Sequence, residues 1–274
     1  MRRLTCLCLL ALLPALAAGS ECRYSAERNF DVPASDLANV TFQLGSSDLI
    51  VEGAPGLDKI EVRGRACASN EAWLDQLTVE QHRAGDRLEI STREAHDLRG
   101  SWSGSNYAYI DLRVRMPSRL TVALKTSSGD AEVRSVAALD VDTSSGDLVA
   151  SHIAGVLGIQ VSSGDVRGED IGSVDIRRTS SGDITLRDVH GPVEVARSGS
   201  GDLHFRKVGS VHVGHVGSGD VSIIDAAGDV VVDSIGSGDI RVDRVAGDFR
   251  VGSRGSGDVE HRGVQGKVSV PHDD

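Results

Sequence analysis

The sequence predicts an all-β fold, a parallel β-helix-like solenoid that stacks coils of about 18 residues. Three observations predict it. The pair Gly-Asp recurs eight times at nearly constant spacing, apolar residues alternate between these pairs, and the chain has 32 glycines but only 4 Phe, 3 Tyr and 2 Trp. Glycine without a collagen period indicates tight turns, and scarce aromatic side chains indicate a core of Val, Ile and Leu. Short strands joined by turns are therefore expected.

The Gly-Asp repeat divides the chain beyond residue 119 into regular units. Successive pairs are 17 to 19 residues apart, each is preceded by serine, and a second glycine lies half a repeat later, as at Gly155 and Gly191. Each unit therefore has two halves of eight to ten residues. The repeated aspartates are Asp130, Asp147, Asp165, Asp183, Asp202, Asp220, Asp239 and Asp258.

Within each half, apolar residues occupy alternate positions, such as Ile184 and Leu186, then Val193 and Val195. This period of two, rich in β-branched residues, predicts strands. A meander of hairpins would also give short strands, but its turn spacing can drift, whereas stacked coils need constant length and aligned columns. The columns stay aligned over seven steps, so we favour the solenoid.

Residues 20–118 are less regular, and we interpret them as the first coils or a cap of the same solenoid. Ser46 to Val51 reads as a degenerate copy of the turn and strand, and alternation elsewhere predicts further strands. Ala68 to Gln76 is expected to be a short helix or a loop, and Glu94 to Ser105 an exposed loop. The Ser-Gly-Asp repeats then occupy residues 119–274.

Residues 1–19 have the pattern of a secretory signal peptide. Arg2 and Arg3 precede an apolar stretch from Leu4 to Leu16, and Ala15-Leu16-Ala17 is a cleavage site of the A-x-A type. A short membrane anchor is the alternative, but the stretch is shorter than the roughly 20 residues that a span needs. We therefore expect an exported protein of the periplasm, cell envelope or extracellular space, without a transmembrane segment.

Cleavage of the signal peptide would leave only two of the four cysteines, Cys22 and Cys67. In an exported chain, a single pair most simply forms one disulfide. A catalytic thiol or a metal pair is the alternative, but neither a C-x-x-C spacing nor a neighbouring histidine supports it.

The charge of the chain excludes one class of partner. It carries 29 basic and 40 acidic residues, a formal net charge of −11. Nucleic-acid binding begins with a basic footprint, so nucleic acid is not expected as a partner. Anionic membrane surfaces are disfavoured for the same reason.

Iterated Ser-Ser-Gly-Asp-aliphatic turns, the run Val114 to Pro117 before the first good repeat, and the exported N-terminus resemble a known family. It comprises bacterial exported β-strand-repeat proteins classed as "putative adhesins", a domain of unknown function. The resemblance covers about residues 36–270. It implies a β-repeat fold and supplies no catalytic residues.

The repeated aspartates have two interpretations. The simpler one is that each carboxylate accepts backbone N–H groups across its own turn while glycine supplies a positive φ. The alternative is a column of Ca²⁺ sites at Asp130 to Asp258. Such sites need six to eight oxygen ligands, and known calcium-binding rolls carry a different glycine pattern in both half-turns.

No catalytic residues and no cofactor are predicted. Carbohydrate-active β-helices place carboxylates under protruding loops, and these coils are too short and uniform for such loops. His204, His212 and His215 are interpreted as separate surface residues, with 212 and 215 on opposite sides of a regular strand. Trp102, Tyr107 and Tyr109 form a possible contact patch, or else pack against the first coils.

The sequence therefore predicts a non-enzymatic exported repeat protein that presents a binding or adhesion surface to an envelope protein or surface ligand. A structural or stress-related periplasmic protein is the first alternative, and a carbohydrate-active β-helix enzyme the second. Exposed end rungs would also permit end-to-end self-association.

Overall fold

The computed structural model describes residues 22–94 and 106–271. The predicted signal peptide 1–19, Trp102 and nearly all of the predicted loop from Glu94 to Ser105 lie outside the described residues. The described residues form 23 strands and one short 3₁₀ helix, so the predicted all-β solenoid is confirmed. None of the helical residues described forms a segment long and apolar enough to span a membrane.

Eight strands and the 3₁₀ helix precede the regular repeats. The helix, Glu71–Gln76, lies where a short helix or loop was predicted. It begins at Asn70, whose side chain accepts a hydrogen bond from the N–H of Ala72. The strands are β1 Tyr24–Glu27, β2 Phe30–Pro33, β3 Asn39–Gln43, β4 Asp48–Ala54, β5 Lys59–Ala68, β6 Thr78–Ala84, β7 Arg87–Arg93 and β8 Ala108–Pro117.

The repeats follow, with two strands or two halves of one long strand in each coil. The strands are β9 Thr121–Thr126, β10 Ala131–Arg134, β11 Ala138–Thr143, β12 Leu148–Val161, β13 Val166–Thr179, β14 Ile184–Val189, β15 Val193–Ser198, β16 Leu203–Val208, β17 Val211–Val216, β18 Val221–Ala226, β19 Val230–Ile235, β20 Ile240–Val245, β21 Phe249–Arg254, β22 Val259–Val264 and β23 Val268–Ser269.

These strands form two parallel stacks that enclose the core. In the first stack, which follows each Gly-Asp turn, Val166 is in register with Ile184, and Ile184 with Leu203. In the second stack, Val193 is in register with Val211. The predicted apolar columns are thereby confirmed: the aliphatic ladder up to Val251 and its two large aromatic members, Phe205 and Phe249, are buried, and the last coil is partly exposed. Dispersion and burial along these ladders hold the coils together.

The N-terminal end of the solenoid has a different topology. β3 lies between β7 and β9, and β4 between β8 and β10, so the spatial order differs from the chain order. Leu49 is in register with Ala131, which confirms that Ser46 to Val51 is a degenerate repeat. Beyond this coil, β5 pairs antiparallel with β8 and β6 antiparallel with β7, so antiparallel strands cover the end.

The predicted disulfide is confirmed at this end. Cys22 and Cys67 are bonded, with their Cα atoms 5.6 Å apart, and the bond fastens the start of β1 to β5. Arg28 adds a second connection, because its Nε and Nη2 donate to the carbonyls of Leu77 and Leu74 at 2.7 Å each. These carbonyls lie at the end of the 3₁₀ helix, so Arg28 ties β1 and β2 to the helix end.

Candidate binding surfaces

The repeated aspartates form a hydrogen-bonded ladder along one edge of the solenoid. Oδ1 of Asp165 accepts the backbone N–H of Asp183 at 3.0 Å, and Oδ1 of Asp183 accepts that of Asp202 at 2.8 Å. The same contact links every Gly-Asp turn to the next and begins at Asp48 in the degenerate copy. The predicted acceptor role is correct, but the donor lies one coil later rather than in the same turn.

This arrangement explains how like charges tolerate stacking. Two carboxylates at strand spacing repel each other by roughly 0.9 kcal/mol in water. A charge-assisted hydrogen bond to each carboxylate offsets that repulsion. Among the described residues, no three His, Cys, Asp or Glu side chains are grouped so as to hold a metal ion.

The turn glycines are required for a reason other than the predicted one. None of the eight Gly-Asp glycines of the repeats has a positive φ. A Cβ on Gly182 would instead lie 1.9 Å from the carbonyl oxygen of Gly164, and the same obstruction recurs along the column. Since that oxygen belongs to backbone, it cannot move aside, so only glycine permits the coils to approach this closely.

A different position of the coil has a positive φ, in the left-handed region, and most residues at this position are not glycine. One residue before the last buried apolar residue of each first half-coil, such as Val189 and Val208, seven non-glycine residues have φ between 53° and 62°. This conformation is unfavourable for most L-residues. The next coil has Gly263 there, at φ 65°. The seven residues are Ser135, His152, Asp170, Asp188, Lys207, Asp225 and Arg244.

Side chains at this left-handed position pair between neighbouring coils. Lys207 lies 3.3 Å from Asp188, and Arg244 contacts Asp225. The Arg244 guanidinium lowers the pKa of the Asp225 carboxyl through their hydrogen bond. This corner of the solenoid is therefore a ridge of exposed ion pairs, each of small energetic weight.

The three predicted surface histidines do not form one site. His204 lies on the first stack, and His212 and His215 on the second. His212 and His215 are both exposed on the same side, which differs from the opposite sides expected for a regular strand. The physical reason is that two successive residues, Gly214 and His215, both face outward before the buried Val216. This interrupts the inward–outward alternation of side chains along the strand.

His212 is held between carboxylates of the two adjacent coils. Its Nε2 is 2.9 Å from Asp233 Oδ2, and its Nδ1 is 3.1 Å from Glu194 Oε2. The hydrogen bond to Asp233, aided by Glu194, raises the pKa of His212 against an opposing effect of burial. Protonation of this imidazole therefore strengthens the contact between three coils.

The two described members of the possible contact patch lie beside the disulfide. The Tyr107 hydroxyl accepts the backbone N–H of Arg23 at 3.0 Å, and its ring centroid is 6.0 Å from that of Tyr109. Tyr109 is in register with Cys67, and both tyrosines are half-buried. Their contacts with the first strands are of the packing kind that was the alternative prediction.

Sequence reasoning missed a groove at the N-terminal end. This open groove of 770 Å³ lies over β1, β4, β5 and β8 and is lined by Arg65, Asp111 and Arg113, among others. Burial, and then the charge of Asp48, raises the pKa of Asp111, while Arg65 and Arg113 act in the opposite direction. The signal was the alternation of arginine in β5 and β8, which places these side chains on one outer face.

A second open groove, of 580 Å³, runs along the second stack beside the turns. Arg178, Arg197 and His215 contribute to it from three successive coils. Its floor is formed at Gly199 and Gly217, where the first residue of the four-residue turn changes from serine to glycine. Both grooves are lined by charged and polar groups and are open to solvent.

Comparison with solved structures finds similar β folds at low identity. They include a "putative cell adhesion protein" from Clostridium sporogenes, with 10% identity and a TM-score of 0.34 over 87% of this chain and 99% of that chain. A "putative adhesin" from Bacteroides fragilis has 11% identity and a TM-score of 0.33 over 90% and 97%. A "putative lipid binding protein" from Parabacteroides distasonis has 17% identity and a TM-score of 0.39 over 89% and 97%.

None of the curated proteins compared with the chain matches it significantly in sequence. The sequence profile of the family described as Toastrack DUF4097, a domain of unknown function, matches residues 68–224. This match spans more than half of the chain and includes the last part of the N-terminal region as well as the first repeats. The chain belongs to the Toastrack DUF4097 family.

Proposed function

We propose that this chain is a non-enzymatic, exported repeat protein that presents a binding or adhesion surface at the cell envelope. The observation that supports it is the repetition of outward side chains on both stacks at every coil. Arg187 and Arg206 are in register on the first stack, for example, and Arg197 and His215 on the second. Individually weak contacts along such a face add up when the partner is itself repetitive or extended.

Export is supported by the disulfide together with the predicted signal peptide. Cys22–Cys67 persists only in an oxidising compartment such as the periplasm or the extracellular space. A cell fractionation with the tagged full chain tests this location. Recovery of reduced protein in the cytosol would contradict it.

Absence of catalysis is supported by how the repeat uses its acid and base groups. The repeated aspartates accept hydrogen bonds from backbone N–H groups, and both ring nitrogens of His212 lie within hydrogen-bond distance of a carboxylate. Turnover of any member of a polysaccharide panel would instead favour the carbohydrate-active β-helix enzyme.

A structural or stress-related periplasmic protein is the remaining alternative, with any ligand at the N-terminal groove. In either case we propose that residues 20–118 form the first coils or cap of the solenoid. End-to-end self-association remains a prediction; Val268 in β23 is 42% exposed, unlike its buried counterparts in earlier coils.

Capture from a solubilised envelope extract tests the binding function and locates the surface. The baits are the mature chain and three charge-reversal pairs: Arg187→Glu with Arg206→Glu, Arg178→Glu with Arg197→Glu, and Arg65→Glu with Arg113→Glu. We expect the unmodified chain to capture a component, and we expect one of the first two variant pairs, which lie in the repeats, to lose it. Loss only with the Arg65 and Arg113 pair would favour the alternative, and capture of nothing by the unmodified chain would contradict the proposal.

A further inference from the structure

The middle of the solenoid differs in charge from the rest of the chain. Residues 176–215 carry six basic and four acidic side chains, a net charge of 6 − 4 = +2, whereas the whole chain carries −11. Four of the nine histidines also lie in this segment. Over the three whole coils that contain this segment, residues 166–220, the count is 7 − 8 = −1, so the excess of basic groups is local to the segment, which we call the basic belt. A local excess of basic groups in an acidic protein favours an anionic partner.

Within the belt, Arg178 and Arg197 lie next to each other on the second stack. Thr179 is in register with Ser198, so the preceding arginines occupy equivalent positions on adjacent strands. His215 continues the same row, since it is in register with Arg197. All three side chains are exposed and line the groove of 580 Å³ beside the turns.

In the described part of the chain, neither of these arginines has a carboxylate within 4.0 Å, unlike two other arginines of the same region. Arg177 is 2.7 Å from Asp140, and Arg167 is 3.6 Å from Asp165. Two adjacent guanidinium groups without an intervening carboxylate repel each other. A bound anion would relieve that repulsion, and the groove provides space for it.

The floor of the groove also differs from the earlier coils. The first turn residue is serine at Ser180 and in the copies before it, but glycine at Gly199 and Gly217. A Cβ on Gly199 would lie 2.3 Å from the carbonyl oxygen of Ser180. Glycine at these positions therefore lets adjacent coils approach closely beside the arginines, where a Cβ would meet backbone.

We propose that the groove lined by Arg178, Arg197 and His215 binds a phosphate monoester group. Guanidinium groups bind planar pairs of oxygens in a bidentate manner. One arginine satisfies a carboxylate, which has two oxygens and a single charge. Two adjacent unpaired arginines match a group with three terminal oxygens and up to two charges. The inference rests on the proposed function, because it names the ligand chemistry of one repeat face.

A soluble phosphorylated ligand and a lipid headgroup could both supply the phosphate group. Two binding experiments on the full mature chain at low ionic strength distinguish them. The first is inorganic phosphate, titrated by calorimetry. The second is cosedimentation with phosphatidylcholine vesicles that contain phosphatidic acid, with pure phosphatidylcholine as the blank. The variants are Arg197→Gln and Arg178→Gln with Arg197→Gln. Arg134→Gln is the matched control. Arg134 lies on the first stack, in the first regular repeat, and forms an ion pair with Glu132 of the same strand.

We expect binding to weaken by about tenfold with Arg197→Gln, to be lost with the double variant, and to be unchanged with Arg134→Gln. Variant-sensitive binding of inorganic phosphate supports a soluble phosphorylated ligand, and such binding of vesicles alone supports a lipid headgroup. The proposal is overturned if the unmodified chain binds neither probe, or if the double variant binds as well as the unmodified chain. Thermal unfolding of each variant verifies the fold. Capture of an envelope component would be unaffected by failure here, so the two proposals fail separately.

Discussion

The backbone N–H of Asp183 lies 3.0 Å from Oδ1 of Asp165, one coil earlier. The carboxylate thus forms a hydrogen bond between two successive coils, and not within its own turn. Since the contact recurs at every turn, its removal at one site should weaken one interface of the stack.

Replacement of Asp183 tests this role. Asp183→Ala leaves the N–H of Asp202 without its acceptor, so we expect a loss of about 1–3 kcal/mol in the free energy of unfolding by urea. Asp183→Asn keeps an acceptor oxygen and should lose clearly less. Equal stability of both variants and the unmodified chain would refute the role of this hydrogen bond.

The turn glycines provide a sterically severe test. Gly182→Ala places a Cβ 1.9 Å from a backbone oxygen, so we expect destabilisation of about 3 kcal/mol or more, measured by urea unfolding. The control is Gly56→Ala, where φ is +79° but no atom lies within 4 Å. That change should cost about 1 kcal/mol. A Gly182 variant no less stable than the control would contradict the close-approach argument.

The left-handed position predicts a stabilising substitution. Ser135 has φ 59°, and glycine adopts this conformation without steric conflict. Ser135→Gly should therefore raise the thermal midpoint, corresponding to up to about 1 kcal/mol. Arg134→Gly, one residue earlier in β10, should lower it, because glycine weakens a strand. The opposite order of the two midpoints would speak against strain at Ser135.

His212 predicts a dependence of stability on pH. Because its pKa is raised in the folded chain, its contribution is fully present below the unfolded value of about 6.5 and is lost as pH rises through the folded pKa. The side chain is 47% exposed, so the effect should be below about 1 kcal/mol. His212→Gln should lower the thermal midpoint at pH 5 and hardly change it at pH 8.5. A larger difference in thermal midpoint between the two proteins at pH 8.5 than at pH 5 would contradict a stabilising role of protonated His212.

Calcium removal tests the alternative role of Asp130 to Asp258. We expect a chelator to leave the thermal midpoint unchanged, since each carboxylate that bridges two turns already accepts a backbone N–H. A fall of several degrees that added calcium reverses would show that the column binds the cation.

The periodic features could be predicted from the sequence, because a constant repeat length and alternating aliphatic residues leave few folds open. The strands and the columns follow from these patterns, and the Cys22–Cys67 bond follows from the number of cysteines expected in the exported chain. The roles of Gly182 and Asp183 could not, since both depend on atoms one coil away. The groove at Arg178 and Arg197 was missed because two successive outward residues before each corner break the simple alternation.

The insertion of β3 and β4 between later strands has a consequence for the order of folding. Neither edge of β3 can find its partner until β7 and then β9 have emerged, so the first coil closes only after residue 126 is available. These contacts are distant in sequence, which slows their formation. During synthesis, β3 therefore keeps one unpaired edge until β9, the first strand of the repeats, becomes available to pair with it.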